Sequence, residues 1–260
     1  MKAYTLEIWR LRYFWLSLVK IDLNTRYRRS ALGLGWSLLQ NILMTIVLSV
    51  VFGTLFQLDI AFYAPFILIG LAYWGFLSSC VLMGATSLYN AEPYMKQHKV
   101  PVAIYPLRTV LGASFHFSIA LVVAFVATLF FQGPEHLLAW PVTLMGFLLL
   151  FLFGWSLAVL TAFSNVYFPD VSHLLEVGMQ IAFYATPIIY PLSMLEARGV
   201  GFLVTINPFS YHLELIRKPV LEGTLPDVTI ILGAVGLTVL SAIFAIITLW
   251  KREDQIVLEL

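Results

Sequence analysis

Charged residues are scarce in this chain. Only 11% of its 260 residues are Asp, Glu, Lys or Arg, whereas a soluble domain carries about 25%, and 60% are hydrophobic. That composition is typical of a protein whose surface is solvated largely by lipid. The formal net charge is only +1, so the overall charge gives no indication of an acidic partner such as nucleic acid.

Cysteine is equally scarce. The single Cys80 excludes an intrachain disulfide framework, and its apolar surroundings favour a small buried side chain over a reactive thiol. We expect no cleavable signal peptide, because the first 30 residues contain nine charged side chains and no small-residue cleavage site after an apolar core.

Catalytic and metal-binding motifs are missing as well. The chain has no G-x-x-x-x-G-K-[ST] loop for ATP, no G-x-S-x-G nucleophile turn and no H-E-x-x-H zinc motif. Its five histidines are scattered without ligand spacing, which favours packed imidazoles over a metal site. No Asp, Glu, Lys or Arg lies near the centre of a long apolar stretch, so an ion-coupled relay is not expected. We infer that the protein is not an enzyme and that any transport is passive or driven by a partner.

Long charge-free stretches are what the chain has instead. Six of them approach or exceed the ~20 residues that a transmembrane helix needs. The predicted spans are approximately 32–57, 62–88, 107–131, 140–164, 172–191 and 228–250. Within the region 192–226, the charge-free stretch from Gly199 to Leu213 is too short and too interrupted to span, so we expect a re-entrant or interfacial segment there. The predicted fold is an all-α integral membrane protein with six transmembrane helices.

Positive charge is concentrated on one predicted side of the membrane. Twelve of the fifteen basic residues lie in the N-terminal arm, the loop around 89–108 and the C-terminal tail, against three on the other side. The three exceptions are Arg198, Arg217 and Lys218. Because basic residues are retained in the cytoplasm, both termini are predicted to be cytoplasmic.

The N-terminal arm, 1–30, has a helical pattern of its own. Polar residues such as Arg10, Lys20 and Arg28 follow one stripe, and apolar residues such as Leu11 and Trp15 lie roughly opposite. Such an amphipathic helix lies in the membrane interface rather than crossing it.

Several ordered motifs resemble one family of membrane proteins. They are T-R-Y-R-R-S-A-L-G-L-G-W-S-L-L-Q at 25–40, V-V-F-G-T-L-F at 50–56, N-A-E-P-Y-M-K-Q-H-K-V-P at 90–101, A-T-P-I-I-Y-P-L-S-M at 185–194 and I-N-P-F-S-Y-H-L-E-L-I-R at 206–217. Together they resemble the ABC-2 permeases that export bacterial cell-surface polysaccharides such as O-antigen, capsule and teichoic acid. One departure is Gln40-Asn41, where many members have a proline after the glutamine.

The resemblance implies an assembly and a substrate. Residues 1–260 would form one ABC-2 transmembrane domain that pairs as a homodimer and binds two ABC ATPase subunits. ATP and Mg would be bound by those subunits, and this chain would carry no cofactor. The substrate would be a polyprenyl-pyrophosphate-linked glycan entering from the cytoplasmic leaflet of the bacterial inner membrane.

The resemblance also implies roles for particular residues. The loop at Leu32 and Gly33, followed by Trp36, corresponds to a gate near the cytoplasmic entrance. Aromatic side chains of the first and fifth spans would line the passage, and we single out Phe52, Phe56, Phe183, Tyr184 and Tyr190. Simple packing is the alternative for these rings, although Phe183 and Tyr190 would share one face of a continuous helix. Segment 90–101 would be a cytoplasmic coupling loop, with Glu92, Tyr94, Lys96 and Lys99 as candidate ATPase contacts.

Arg26, Arg28 and Arg29 admit two interpretations that can both hold. They reinforce the cytoplasmic orientation, and they lie where a pyrophosphate headgroup would arrive, since arginine binds phosphate oxygens in a bidentate manner. Lys96 and Lys99 could likewise serve topology alone.

Two other functions remain open at this stage. The chain could be an ABC-2 exporter of a drug or small lipid, although the L-G-x-x-W string favours glycan. It could also be an accessory membrane subunit with no conduit, which co-purification with an ATPase and stimulation of that ATPase by lipid-linked glycan would exclude.

Overall fold

The computed structural model describes residues 2–26, 33, 35–97, 100–134 and 139–259. Within those ranges the chain is helical and has no β-strand, which confirms the all-α prediction for them. The α-helices are α1 (Lys2–Arg10), α2 (Arg12–Arg26), α3 (Gly35–Phe56), α4 (Ile60–Ser78), α5 (Glu92–Met95), α6 (Ile104–Gln132), α7 (Trp140–Tyr167), α8 (Val171–Ala185), α9 (Leu192–Glu196), α10 (Phe202–Ile206), α11 (Pro208–Glu222) and α12 (Val228–Glu259).

Five helical segments in the described part of the chain are long and apolar enough to cross a membrane. They are Leu38–Phe56, Ile60–Met83, Ile104–Gln132, Trp140–Tyr167 and Val228–Ile256. They correspond to the first four predicted spans and the sixth. The protein is therefore a multi-pass membrane protein.

The predicted fifth span, 172–191, does not form one continuous helix. Helix α8 has 15 residues, about 22 Å at ~1.5 Å per residue, against a hydrocarbon core of about 30 Å. It stops at Ala185 because Thr186 is extended, with φ −93° and ψ 139°, as a residue before proline prefers. The continuous helix predicted for 172–191 was therefore wrong beyond Ala185.

The N-terminal arm consists of two consecutive helices rather than the single helix predicted for 1–30. The helices α1 and α2 meet at Leu11, whose N–H still donates to the carbonyl of Glu7 at 3.0 Å. Helix α2 packs along α6, and the guanidinium of Arg108 donates two hydrogen bonds to the carboxylate of Asp22. This ion pair ties the arm to the bundle.

Helix α4 lies at the centre of the bundle. Two-thirds of its most apolar window, 67%, is buried inside the chain, against 17% for α3 and α12. It packs on α3, α6 and α11 through large fully buried side chains that include Tyr63, Ile67 and Tyr73. Helices α3 and α12 leave most of their apolar surface for lipid or another chain.

Close helix crossing depends on two glycines beside the π-helical turn Ser79–Met83, which continues α4. A Cβ on Gly154 of α7 would lie 2.8 Å from the sulfur of Cys80, and one on Gly84 would lie 2.8 Å from Cα of Ala158. Small residues let membrane helices approach in this way. Cys80 is fully buried, as its apolar surroundings predicted.

The predicted re-entrant or interfacial region, 192–226, contains the three helices α9, α10 and α11. Helix α11 begins with Asn207 as its N-cap and Pro208 in its first turn, a favourable pair of start signals. It packs against α7, α12 and α4 and buries most of its surface. The longest helix of this region is therefore part of the bundle.

Candidate functional site

The loop between α4 and α6 presents a short helix at the surface. A 3-10 turn, Tyr89–Ala91, leads directly into α5. Ala91 and Met95 are buried in a second hydrophobic cluster formed with the ends of α7 and α12, whereas Tyr94 is 39% exposed. The helix is thus anchored on one side and offers an aromatic side chain on the other.

The predicted ATPase contacts lie on this helix and just after it. Lys96 donates to the carboxylate of Glu92 at 2.5 Å, one helical turn away, and both side chains are partly exposed. Because both side chains are exposed, they are accessible to a partner. The pair itself contributes little to stability, so a partner could replace it at small cost. Together with Tyr94 they form one polar turn, while Lys99 lies outside the described residues.

The far end of this loop is held by helices from both ends of the chain. One carboxylate oxygen of Glu253, on α12, accepts from the hydroxyl of Tyr4 at 2.9 Å and from the N–H of Val102 at 2.8 Å. The N–H of Ala103 donates to the Tyr4 hydroxyl at 3.4 Å. Burial raises the pKa of Tyr4 far above its usual range, so its hydroxyl stays protonated and continues to donate.

Sequence reasoning missed Tyr4 and Glu253. They are 249 positions apart, and neither lies in a recognisable motif. A weak signal is present in retrospect, because a carboxylate just beyond the last predicted span must find partners if the helix continues into the protein. The structure shows that it does continue, to Glu259.

The predicted headgroup and gate residues lie at the junction of α2 and α3. Three of them fall outside the described residues: Arg28, Arg29 and Leu32. Arg26 is the last residue of α2. Gly33 has a φ of +50°, a left-handed conformation that glycine adopts readily. Trp36, in the first turn of α3, is 52% exposed.

The aromatic candidates form two separate groups. Phe52 and Phe56 pair on α3, with ring centroids 5.5 Å apart. Phe183 meets Tyr184 at 5.2 Å, and the hydroxyl of Tyr190 donates to the carbonyl of Tyr184 at 2.8 Å. Among the described residues no ring contact joins the two groups within one chain.

Phe183 and Tyr190 do not share a helical face. Helix α8 ends at Ala185, and the segment 186–191 that follows is irregular, so the seven-residue spacing no longer sets their relative direction. Pro187 and Pro191 lack the N–H that a continuing helix requires. The sequence prediction of a shared face was wrong for this reason.

A buried arginine braces the irregular segment after α8. Arg217, on α11, is 3% exposed and donates to the carbonyl of Pro187 at 2.6 Å and of Ile188 at 3.3 Å. Its guanidinium lies 3.8 Å from the ring centroid of Phe66 and 3.4 Å from the carboxylate of Glu214. Carbonyls, a π face and a carboxylate together replace the water that the charge has lost.

Further hydrogen bonds hold the same segment and its neighbour. The hydroxyl of Tyr63 donates to the carbonyl of Ile189 at 2.5 Å, and that of Tyr73 donates to the carbonyl of Phe209 at 2.7 Å. The amide of Asn207 donates to the hydroxyl of Thr186 at 2.9 Å. Helix α4 and the start of α11 therefore fix the break in the chain from two sides.

Arg217 was counted in the sequence only as one of three basic residues on the less basic side. Its burial is not indicated locally, because Glu214 and Lys218 lie close to it on the same helix, α11. Which carbonyls it contacts depends on the chain reversal between α8 and α11.

Comparison with known sequences identifies the family of this chain. A sequence model of the family described as ABC-2 type transporter matches residues 13–221. The chain is 27% identical over 251 residues to the O-antigen export system permease protein RfbA of Myxococcus xanthus, covering 95% of this chain and 93% of that protein. It is also 27% identical over 208 residues to the protein of the same name from Klebsiella pneumoniae, covering 78% of each. Since the family match spans most of the chain, this protein belongs to the ABC-2 type transporter family.

Proposed function

We propose that this chain is the transmembrane permease subunit of an ABC exporter that moves a lipid-linked, O-antigen-like polysaccharide across the bacterial inner membrane. The observation that carries the proposal is its similarity, along 95% of its length, to a permease named for O-antigen export. The chain has no P-loop of its own, so a separate ATPase supplies the energy and binds ATP and Mg²⁺. The chain itself carries neither a catalytic site nor a cofactor.

The assembly contains two copies of this chain and two ATPase subunits. The ATPase docks on α5 and its flanks, through Glu92, Tyr94, Lys96 and Lys99. The anchored helix with an exposed aromatic side chain supports this assignment, because an exposed ring on a rigid base suits insertion into a partner's groove.

Both termini lie in the cytoplasm, and the chain crosses the membrane six times. Helix α8 and the segment up to 191 form a short fifth crossing, and 192–226 is a re-entrant region facing outward. The concentration of basic residues before α3, between α4 and α6 and after the sixth span supports this orientation.

The substrate enters at the junction of α2 and α3. Arg26, Arg28 and Arg29 receive the pyrophosphate, and the loop at Leu32 and Gly33, with Trp36 beside it, acts as the gate. The glycan then passes between two copies of the chain, along Phe52, Phe56, Phe183, Tyr184 and Tyr190.

Reconstitution with the partner ATPase tests the proposal. Polyprenyl-pyrophosphate-linked glycan should stimulate ATP hydrolysis and appear on the opposite side of the vesicle, whereas a lipophilic drug should do neither. Replacing the three arginines by alanine should reduce glycan stimulation, with Arg198→Ala, on the less basic side, as the matched control. Hydrolysis stimulated by drugs alone would contradict the proposal. If glycan still stimulates ATP hydrolysis fully in the triple variant, the arginines act only in setting the membrane topology.

A further inference from the structure

A cleft of about 600 Å³ lies beneath the N-terminal arm, and its lining reaches Thr25 near the end of α2. Its walls come from the C-terminal half of α2, from the turns that follow α4 and from the first three turns of α6. This volume is in the range of small-molecule sites, which run from about 300 to 1,000 Å³.

Two hydroxyl groups beside this cleft have no hydrogen-bond partner among the described residues. They belong to Ser87, which is 5% exposed, and to Tyr105, which is 1% exposed, and both residues line the cleft. Leaving a buried hydroxyl without a partner costs about 1–3 kcal/mol, so such groups usually have a bound water or ligand as partner.

The ion pair of Asp22 with Arg108 forms part of the same lining and has further capacity for hydrogen bonds. In this pair, Nε and one Nη of Arg108 each donate one hydrogen bond, and each carboxylate oxygen of Asp22 accepts one of them. A guanidinium has five N–H donors and a carboxylate about four acceptor positions, so both groups can bind a ligand without separating. Asn90 adds an amide from the loop after α4.

The charge balance of the lining selects the kind of ligand. Asp22 and Arg108 are the formally charged side chains among the described lining residues, and they neutralise each other. An anion would have to compete with Asp22 for the guanidinium, and a cation would have to compete with Arg108 for the carboxylate. A group rich in hydroxyls both donates and accepts without disturbing the pair.

Apolar side chains complete the cleft. Ile21 and Leu23 from α2, Met83 after α4 and Ala113 on α6 contribute to its lining. A ligand with a hydrocarbon portion beside its hydroxyl groups matches this mixture. Helix α2 is amphipathic and, in the proposed orientation, lies at headgroup depth on the cytoplasmic leaflet.

We propose that this cleft is a binding site for the uncharged sugar headgroup of a glycolipid. The headgroup hydrogen-bonds to Ser87, Tyr105 and the Asp22–Arg108 pair, and the lipid chain lies against the apolar wall. The sugar could belong to the exported glycan or to a resident glycolipid of the membrane. Only its placement at the cytoplasmic leaflet rests on the proposed function.

Photolabelling in lipid nanodiscs tests the site without any transport. The probe is a glucosyl-diacylglycerol carrying a photoreactive group on its sugar, in a phosphatidylcholine bilayer, and labelled peptides are identified by mass spectrometry. Labels should concentrate in the α2, 83–90 and 105–116 segments and should be displaced by unlabelled glucosyl-diacylglycerol. Competition by polyprenyl-pyrophosphate-linked glycan as well would identify the exported lipid as the occupant. Competition by glucosyl-diacylglycerol alone would identify a resident lipid.

Substitution of the two hydroxyls sharpens the test. Ser87→Ala and Tyr105→Phe should each lower the labelling about two- to tenfold, the effect of one lost hydrogen bond. Tyr167→Phe on α7 is the matched control, since its hydroxyl is also buried without a partner but lies outside the cleft. Ser118→Ala on α6 is the second control, since its hydroxyl donates to the carbonyl of Ser114.

Three results would overturn the proposal. One is labelling by a phosphatidylcholine probe or an anionic phosphatidylglycerol probe at least as strong as that by the sugar probe. Another is unchanged labelling in the double variant Ser87→Ala, Tyr105→Phe. The third is an equal loss of labelling in the control variants. Unfolding temperatures of all variants identify any loss caused by misfolding, and the hydroxyl deletions should leave them equal or higher because they remove unpaired polar groups.

Discussion

Arg217 brings a positive charge into the interior of the bundle, where two carbonyls and the ring of Phe66 replace water. The arrangement requires space on α4 as well as donors on α11. Gly70 supplies that space, since a Cβ at this position would lie 2.7 Å from one guanidinium nitrogen and 3.0 Å from the carbonyl oxygen of Ile188. A residue with no side chain is therefore part of the arginine's site.

We predict that Gly70→Ala displaces Arg217 from the carbonyls of the 186–190 segment. The free energy of unfolding should fall by about 1–3 kcal/mol, the usual cost of overpacking a filled interior. Gly75→Ala on the same helix is the control, because a Cβ there meets nothing within 4 Å and alanine favours a helix over glycine. Thermal unfolding of the purified proteins in detergent measures both, and equal unfolding temperatures would contradict the predicted clash.

At Gly33 the constraint comes from the backbone and not from space. A Cβ would meet nothing within 4 Å, but the φ of +50° is unfavourable for a β-branched residue. Gly33→Val should therefore abolish or strongly reduce glycan export, whereas Gly33→Asn should retain most of it, since asparagine tolerates this conformation. Immunoblots of surface glycan at matched protein levels compare the two, and equal export would show that the left-handed turn is not needed.

At the scale of elements, α5 depends on helices that are distant in the sequence. Its buried side packs against the ends of α7 and α12. The chain that follows it is held by hydrogen bonds to Glu253 and Tyr4. Movement of α1 or of the end of α12 would therefore shift the loop that is proposed to receive the ATPase. The two ends of the chain thus support the proposed docking surface.

Removal of the Glu253 carboxylate should loosen this surface. Glu253→Ala leaves the N–H of Val102 and the hydroxyl of Tyr4 without their acceptor, so we expect several-fold less ATPase to co-purify. Glu253→Gln keeps one acceptor oxygen and should have a milder effect. The neighbouring exposed Asp254→Ala is the control. Two results together would contradict the positioning role of Glu253. One is that Glu253→Ala co-purifies as much ATPase as the unchanged chain, and the other is that Tyr94→Cys still crosslinks to the ATPase in that variant.

The C-terminal end of helix α8 could not be predicted from the sequence. A charge-free stretch of 19 residues at 177–195 suggested a full span, but composition does not record where a helix stops. Pro187 and Pro191 were visible in the sequence, yet proline is tolerated within membrane helices when neighbours satisfy the freed carbonyls. Here the helix ends, and Arg217 and Tyr63 donate hydrogen bonds to the carbonyls of the irregular segment that follows. Those donors lie on α11 and α4, so the contacts depend on both helices.

At the scale of the whole molecule, the proposed orientation rests on the distribution of basic residues. A reporter that is active only outside the cytoplasm should be active when fused after Pro134 or within 196–224. The same reporter should be silent after Met95 or at Leu260, because the basic segments retain these positions in the cytoplasm. Activity after Met95 would contradict the six-crossing topology, and silence within 196–224 would contradict the short fifth crossing through α8.

The amino-acid sequence alone determined the class of this protein. Its apolar stretches and few charges specify a helical membrane protein, because each apolar segment must satisfy its backbone within lipid whatever its neighbours are. Its motifs pointed to the ABC-2 family, to which the chain belongs. Tertiary structure decided the rest: where α8 ends, which carbonyls Arg217 contacts, and the meeting of Tyr4 with Glu253. These features depend on contacts between segments far apart in the chain, and no local pattern encodes which distant group will satisfy a buried donor or charge.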